Sequence, residues 1–384
     1  MGALSYTVKH RAKKRRACAR SAHERKVVSL AKLTVAVLFG GVSSEHEVSR
    51  LSASSVIENL DRTRYDVLMV GIKKDGTWHL YTGDESRIAR GEWENGPCTP
   101  AAFCPGSGMR GLVLFENGGV REVPVDVVFP VLHGKNGEDG TVQGLLEMAG
   151  VPYVGCGVLG SALCMDKAAA NFVMDAAGID RCEWMYMERW QRGDFDAIER
   201  KAAEKLGYPM FVKPANAGSS VGISKAHDKA QLAAAVDLAL RHDSRVVLER
   251  FVRGQEVECA VRGNGDVHST RPGEILASAE FYTYDDKYVS GTSRTAIPAH
   301  LPADVLNKVA RTAERAYRVL CCRGLARVDF FIEEGTGRIL LNEINTMPGF
   351  TSISMYPKLM IDAGESYAQL LDSLIALALE AKNA

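Results

Sequence analysis

The sequence predicts an α/β fold that is divided into more than one unit. Near the start of the folded part, Thr34–Phe39 is a β-branched and apolar run that leads through Gly40-Gly41 into Ser44-Glu45-His46-Glu47. Ser44 with Glu47 three residues later has the pattern of a capping box, so we expect a helix to begin there. Strand-like runs alternate with helical stretches along the rest of the chain, and its 384 residues suit two or three domains.

Three units are expected after a basic tail, with boundaries at 34–155, 156–248 and 249–384. Strands are predicted at 34–39, 67–72, 125–131, 209–214, 223–225, 246–251, 256–262, 275–281, 325–333 and 338–345. Helices are predicted after Gly140, from 165 to 178, and at 228–242, 302–322 and 366–382, with Pro302 as the first helical residue. The segment 282–300 is polar and aromatic without periodicity, which is typical of a functional loop or of disorder.

The composition excludes several broad classes of protein. Hydrophobic residues make up 46% and charged residues 24%, as in soluble globular proteins, and no apolar run approaches the length of a membrane span. Lys+Arg and Asp+Glu both number 47, so the whole chain gives no indication of a polyanionic partner. The nine cysteines form no CxxC pair, which favours reduced thiols in a cytoplasmic protein over a disulfide framework or a zinc site.

Residues 1–33 form a strongly basic tail, with ten Lys/Arg and one acid. The tail lacks a clear apolar region followed by a cleavage site, so it is a poor secretory signal. We expect it to be disordered and dispensable for catalysis. A wrongly assigned start of the chain, an Arg-rich targeting segment and a tether to an anionic surface are the alternatives.

A predicted hairpin near the carboxyl end brings oxygen ligands together. With its loop at Gly335-Thr336-Gly337, centring the hairpin on Thr336 pairs Asp329 with Glu343. Asn345 then shares a face with Glu343, and Arg327 shares one with Asp329. Oxygen-only ligands of this kind suit Mg²⁺ that carries phosphates. The alternative is a solvated strand edge with incidental acids.

Two further features could bind phosphate or substrate. Lys167, Lys213 and the small-residue loop Gly218–Gly222 could hold phosphates, although a flexible turn with surface lysines would look the same. Glu45 lies in the first turn of the predicted helix, where an acid also stabilises the helix dipole. His133 follows an apolar strand at the end where α/β sites form, and it is equally compatible with a capping or core histidine.

Taken together, these segments resemble the D-alanine–D-alanine ligase family. The similar stretches are Phe39–Ser49, His133–Gly144, Arg327–Asp329 and Asn342–Thr351, and the resemblance extends from about Leu33 to about Leu379. It implies an ATP-grasp fold with an N-terminal preATP-grasp domain. It also implies that ATP phosphorylates one D-alanine carboxylate, and that the amine of a second D-alanine attacks the acyl phosphate. A cytoplasmic homodimer that acts in peptidoglycan synthesis is expected, with D-alanine and ATP as its partners.

The resemblance assigns a role to each candidate site residue. Two Mg²⁺ or Mn²⁺ ions would be held by Asp329, Glu343 and Asn345. Arg327 and the Gly349 N–H would stabilise the oxyanion, Ser354 would hold the second substrate's carboxylate, and His133 would lie near the substrate carboxylates. Glu45 would bind the first ammonium, hydrogen-bonded with Ser219 and Tyr288. The ATP-binding residues would be Lys167, Lys213, Ser219, Ser220, Val221, Gly222, Glu249, Phe251, Val252, Glu256 and Lys287.

Several rival functions share part of this pattern. A D-alanine–D-lactate ligase, or another ATP-grasp carboxylate–amine ligase, would share the metal and ATP groups and differ at the lid segment 282–300. In this family a tyrosine at the place of Tyr288 goes with dipeptide synthesis, so we expect the dipeptide. A nucleotide-binding protein without turnover would lack part of the ligand set, and a nucleic-acid binder would need more than the basic tail.

Overall fold

The computed structural model describes residues 31–105, 110–218, 221–276 and 294–383. From Leu33 onward these residues belong to one compact unit that contains three β-sheets. No helix in the described ranges is both long and apolar enough to cross a lipid bilayer. The compact unit is not subdivided further, so the three predicted domain boundaries stay predictions.

The first sheet has the strand order β6-β5-β4-β3-β2-β1-β7. Strands β1, β2 and β7 are parallel, so their carboxyl ends lie at one edge of the sheet. Strands β2 and β7 lie on opposite sides of β1, and ligand sites of α/β sheets form at such a point. The elements of this region are β1 (Leu33–Gly40), α1 (His46–Asn59), β2 (Tyr65–Ile72), β3 (Trp78–Tyr81), α2 (Ser86–Arg90), β4 (Cys98–Phe103), β5 (Gly111–Glu116), β6 (Gly119–Pro124), β7 (Val127–Pro130) and α3 (Thr141–Ala149).

The capping box predicted at Ser44 and Glu47 is wrong. Helix α1 starts at His46, and its cap residue Glu45 makes no side-chain capping hydrogen bond. Instead, the Glu45 backbone N–H donates to Ser43 Oγ across 3.1 Å, and the Ser43 hydroxyl donates to the carbonyl of His133. The turn is thus stabilised by contacts of Ser43 that do not involve the Glu45 carboxylate.

The second sheet is antiparallel with the strand order β10-β9-β11-β8. Its elements are α4 (Val158–Met165), α5 (Lys167–Ala176), β8 (Trp184–Glu188), α6 (Phe195–Leu206), β9 (Met210–Pro214), β10 (Ser224–Ala226), α7 (Lys229–Ala239) and β11 (Arg245–Arg250). Val212 and Leu248 pack into the core formed with α6 and α7. Because side chains alternate along a strand, Lys213 and Glu249 lie on the opposite face.

The third sheet has the order β15-β14-β12-β16-β17, with β13 paired to β12. Its region contains β12 (Gly254–Arg262), β13 (His268–Ser269), β14 (Gly273–Leu276), β15 (Arg294–Ala296), α8 (Ala303–Val319), β16 (Leu325–Glu333), β17 (Ile339–Asn345), α9 (Met355–Asp362) and α10 (Tyr367–Asn383). Two predictions need correction. Arg294–Ala296, expected to be irregular, is a strand paired with β14, and Pro302 caps α8 instead of being its first residue.

The hairpin of β16 and β17 confirms the predicted pairing of Asp329 with Glu343, and Arg327 pairs with Asn345. The predicted loop was one residue short, because Glu333 N–H donates to Arg338 and the loop is therefore Glu334–Gly337. A register shift between Asp329 and Phe330 compensates for the difference. The pairing is therefore reached through a bulge that the sequence pattern did not indicate.

The segment after β17 is held against the first sheet. Phe350 is fully buried in a core that includes Val37 of β1 and Leu370 of α10, and its ring contacts Phe129 of β7 at 5.6 Å between centroids. The chain that follows Asn345 therefore joins the third sheet to the carboxyl edge of the first.

Candidate active site

A cavity opens where the carboxyl edge of the first sheet faces the hairpin of β16 and β17. It is lined by the cap residue of α1 and by residues from the chain after β7, from α4 and α5, from the loop before β10, and from β16, β17 and the segment after it. Among the residues predicted from the sequence, those that line it are Glu45, His133, Lys167, Arg327, Glu343, Asn345 and Gly349.

Glu45 is 5% exposed and lies between two glycine backbones. A Cβ atom added to Gly134 or to Gly218 would come within 2.5 Å of Glu45 Oε2. The carboxylate is therefore confined between the chain after β7 and the loop before β10, and it faces the cavity. A small ligand with a positive charge matches this arrangement, because a buried carboxylate is stabilised by an opposite charge.

We expect Gly218→Ala to lower activity strongly with little loss of stability. The new Cβ would displace the end of a flexible Glu45 side chain, whereas the backbone of Gly218 has no positive φ that alanine would strain. The measurement is kcat/KM for substrate together with the melting temperature. Gly144→Ala is the matched control, since no atom lies within 4 Å of its added Cβ; equal activities in the two variants would contradict the placement of Glu45.

Arg327 lies between two buried carboxylates. Its guanidinium donates to Asp329 Oδ1 and Oδ2 across 2.8 and 2.7 Å, and its Nε lies 3.0 Å from Glu258 Oε2. Asn345 Nδ2 donates to Asp329 Oδ2 across 2.9 Å. Sequence reasoning missed Glu258, although an acid inside the apolar run of Val257 and Cys259–Val261 was a signal, because an acid is rarely buried without a partner.

Of the three predicted metal ligands, Glu343 and Asn345 line the cavity, while Asp329 is 2% exposed behind them. Because the Asn345 nitrogen donates to Asp329, the amide oxygen is the atom of this side chain that suits a cation. Carboxylate and amide oxygens fit Mg²⁺. No three His, Cys, Asp or Glu side chains in the described ranges converge on a metal position. A metal site here therefore needs the Asn345 amide as a ligand, and it needs Asp329 to replace a contact with Arg327 or Asn345 by one with the metal.

The two predicted phosphate lysines are buried and differ in their partners. Lys213 Nζ lies 2.5 Å from Glu249 Oε2; burial lowers its pKa, but the Glu249 carboxylate outweighs burial and raises the pKa overall. Lys167 Nζ donates to the carbonyl of Ala217 across 2.7 Å, and burial lowers its pKa although Glu343 opposes that shift. Both lysines lie near enough to Glu343 for its charge to raise their pKa, and of the two Lys167 lines the cavity.

His133 is buried and neutral. Burial lowers its pKa to about 4, and both ring nitrogens are occupied, with Nδ1 2.9 Å from Met347 O and Nε2 3.1 Å from Ser52 Oγ. The sequence was compatible with either a site residue or a core histidine. The ring is both, because it lines the cavity and is held by hydrogen bonds in the protein interior.

Glu138 is a cavity residue to which sequence reasoning assigned no role. It accepts hydrogen bonds from Gly134 N–H across 2.7 Å and from Met347 N–H across 3.3 Å. Burial, followed by the negative charge of Glu45, raises its pKa to about 8. The sequence shows Glu138 within Gly137-Glu138-Asp139-Gly140, but it does not show that Glu45 lies close by, because that is a tertiary contact.

The other predicted residues that the structure describes do not line this cavity. Ser354 Oγ accepts from Thr351 N–H across 3.1 Å and would meet a Cβ on Gly349. Phe251 lies 6.0 Å from Phe211 between ring centroids, next to the Lys213 side of the second sheet. Val221, Gly222, Val252 and Glu256 also lie outside the lining. Ser219, Ser220, Lys287 and Tyr288 fall outside the described residues.

Comparisons with known proteins agree with this geometry. Family models described as D-ala D-ala ligase N-terminus and D-ala D-ala ligase C-terminus match residues 34–156 and 173–376. A D-alanine–D-alanine ligase of Acetivibrio thermocellus is 48% identical over 372 residues, covering 92% of this chain and 97% of the relative. One from a Thermoanaerobacter species is 50% identical over 353 residues, with coverages of 92% and 98%.

Solved structures of the same kind share the fold. The VanG D-Ala:D-Ser ligase of Enterococcus faecalis is 41% identical with a TM-score of 0.82, covering 90% of this chain and 99% of its own. The D-alanine–D-alanine ligase of Coxiella burnetii is 33% identical with a TM-score of 0.81, and the coverages are 92% and 96%. These structures confirm the predicted ATP-grasp fold. The family models and the relatives together show that the chain belongs to the D-alanine–D-alanine ligase family.

Proposed function

We propose that this protein joins two D-alanines to D-alanyl-D-alanine with the hydrolysis of ATP to ADP and phosphate. A carboxylate oxygen of the first D-alanine takes the γ-phosphoryl group, which gives D-alanyl phosphate and ADP. The neutral amine of the second D-alanine attacks the acyl carbon, loses a proton and expels phosphate. The observation that carries the proposal is one cavity that is lined both by a buried carboxylate suited to an ammonium group, Glu45, and by a lysine suited to phosphates, Lys167.

The donor set of the hairpin fits a divalent cation beside the phosphates. We propose that Glu343, Asn345 and Asp329 hold Mg²⁺ or Mn²⁺, two ions in each site. When bound, these ions neutralise negative charge on the phosphoryl group that is transferred. For Asp329 to contribute, it must give up part of its contact with Arg327 or Asn345, both within 3 Å of it.

The second sheet supplies the nucleotide site in this proposal. Lys167 and Lys213 contact phosphates, and Ser219–Gly222 covers them with backbone N–H groups. The adenosine lies against the end of β11, the chain that follows it and the start of β12, which carry Glu249, Phe251, Val252 and Glu256. Lys287 reaches the γ-phosphate from the segment 282–300, whose closure excludes water that would hydrolyse the acyl phosphate.

The substrates lie on the first-sheet side. Glu45 binds the ammonium of the first D-alanine, together with Ser219 and Tyr288, and Ser354 holds the carboxylate of the second. Arg327 and the Gly349 N–H stabilise the oxyanion that forms at the acyl carbon. His133 holds neighbouring groups in position near the substrate carboxylates. Because its ring is neutral, it contributes no positive charge there.

Binding of D-alanine is expected to release protons from the protein at pH 7. The ammonium beside Glu138 favours the ionised form of that acid, so the pKa of Glu138 falls from about 8 and the proton that it holds at pH 7 is lost. Above about pH 9 Glu138 is already ionised and the release disappears. Calorimetric titration in buffers with different ionisation enthalpies measures the number released; a binding heat that is independent of buffer at pH 7 would refute the assignment.

Product analysis tests the proposed function. The VanG neighbour is a D-Ala:D-Ser ligase, so the second substrate must be tested directly. We expect D-alanyl-D-alanine to dominate when D-alanine, D-serine and D-lactate are supplied together with ATP across pH 6 to 9. Tyr288→Phe should weaken dipeptide synthesis and allow some ester at lower pH. Predominant D-alanyl-D-lactate from the unmodified enzyme at pH 7.5 would establish the alternative ligase activity.

The cellular role follows from the product. D-alanyl-D-alanine is a component of peptidoglycan precursors, so we propose a role in cell-wall synthesis and cell shape. We further propose that the enzyme is cytoplasmic, where ATP is supplied, and that it is a homodimer. Sedimentation of the purified protein tests the dimer.

A further inference from the structure

Ser52 connects helix α1 to both ends of the segment that carries Gly349. Its side chain is completely buried, and its Oγ lies 3.2 Å from Phe350 N and 3.1 Å from His133 Nε2. The other nitrogen of the same ring, Nδ1, lies 2.9 Å from Met347 O. Met347 and Phe350 bracket Gly349, so one serine and one histidine bind the four-residue segment at its two ends.

The chemistry of the partners fixes the direction of each hydrogen bond. A carbonyl oxygen can only accept, so His133 Nδ1 carries the proton and donates to Met347. Nε2 of the neutral ring must then accept, and the donor is the Ser52 hydroxyl. Ser52 Oγ in turn accepts from Phe350 N–H. The network is consistent only with one orientation of each group, which is the property expected of a rigid support.

Other contacts confine the same segment. Glu138 accepts from Met347 N–H, and the Tyr367 hydroxyl donates to Phe350 O. Gly349 itself has little space, because an added Cβ would lie 2.6 Å from Ser354 Oγ. A backbone N–H that stabilises an oxyanion must be placed to within a fraction of an ångström, so these supports bear directly on the rate.

We propose that Ser52 is a positioning residue: together with His133 it fixes the Met347–Phe350 segment so that the Gly349 N–H meets the oxyanion. The inference rests on the proposed ligase function and deepens it, because it assigns a role to a serine that contacts no substrate. It also explains why a neutral histidine lines a cavity built for charged ligands.

Ser52→Ala tests this role, with Ser54→Ala as the matched control. Ser54 is buried on the same helix, and its hydroxyl has no hydrogen-bond partner among the residues described. Its removal should therefore leave dipeptide formation, the ratio of ADP to dipeptide and the exchange of the Phe350 amide unchanged. For Ser52→Ala we expect dipeptide formation to fall roughly 10- to 100-fold with KM for ATP within about twofold. ADP formed per dipeptide should rise above one, because acyl phosphate that is not attacked in time is hydrolysed.

Hydrogen exchange gives a readout that does not depend on turnover. In Ser52→Ala the amide of Phe350 should exchange faster than in the wild type and in Ser54→Ala, while the amides of β1 keep their protection. Unchanged exchange at Phe350, or a loss of dipeptide formation that only follows the folded fraction, would overturn the proposal. If the wild type makes no dipeptide, the proposed function fails, and the exchange result still decides whether Ser52 holds the segment.

Discussion

Glu343→Gln is expected to lower turnover by at least about 100-fold while the protein remains folded, because mutation of the outer partners of metal ligands alone typically costs 10- to 100-fold. The amide keeps the shape of the side chain but removes a negative charge from the cavity face of the hairpin. Glu343 also opposes the effect of burial on Lys167, so the pKa of that lysine should fall further in the variant.

The measurement is ADP formation as a function of Mg²⁺ and Mn²⁺ concentration, with melting temperature as the check on folding. We expect the metal dependence to shift to higher concentration, and the wild type to lose activity in excess chelator. Glu334→Gln is the control, because this acid is exposed in the hairpin loop and pairs only with Arg253 at the surface among the described contacts. Full activity of Glu343→Gln, or wild-type turnover in chelator, would refute the metal assignment.

The sequence predicted the strands and helices well where the apolar pattern was strong, as in β1, β9 and β16. It failed where local patterns compete. Ser44 and Glu47 matched a capping box, but the Glu45 N–H donates to Ser43, whose hydroxyl donates across to His133. Similarly, the pairing of Asp329 with Glu343 was predicted from loop symmetry, whereas the chain reaches it through a longer loop and a bulge.

Individual residues of the candidate site could be predicted from the sequence, but the contacts between residues that are distant in sequence could not. Glu45, Lys167 and Glu343 could be singled out because their residue types and positions suggest ligands. Glu138 could not, because its raised pKa depends on burial and on Glu45, which lies far away in sequence. Ser52 gave no signal either, since a serine inside a helix is commonplace and its two partners come from distant segments.

Glu45→Gln is expected to reduce kcat/KM for the first D-alanine roughly 30- to several-thousand-fold, because the ammonium group would lose its buried counter-charge. This corresponds to a loss of about 2–5 kcal/mol of binding free energy. The folded protein should be retained, since the amide has the same size and fits between Gly134 and Gly218. The loss should appear mainly as a higher KM for D-alanine, with KM for ATP nearly unchanged.

A matched control lies two residues away. Glu47 is half-buried and pairs with Lys74 at 2.6 Å, so Glu47→Gln removes one acid from the same turn at the protein surface, where such pairs contribute little. The Glu45 variant carries a second expectation. With the Glu45 charge gone, the pKa of Glu138 falls, since only burial still raises it strongly, and proton release on binding of D-alanine at pH 7 should shrink. An unchanged KM for D-alanine, together with unchanged proton release, would show that the ammonium group binds elsewhere in the cavity.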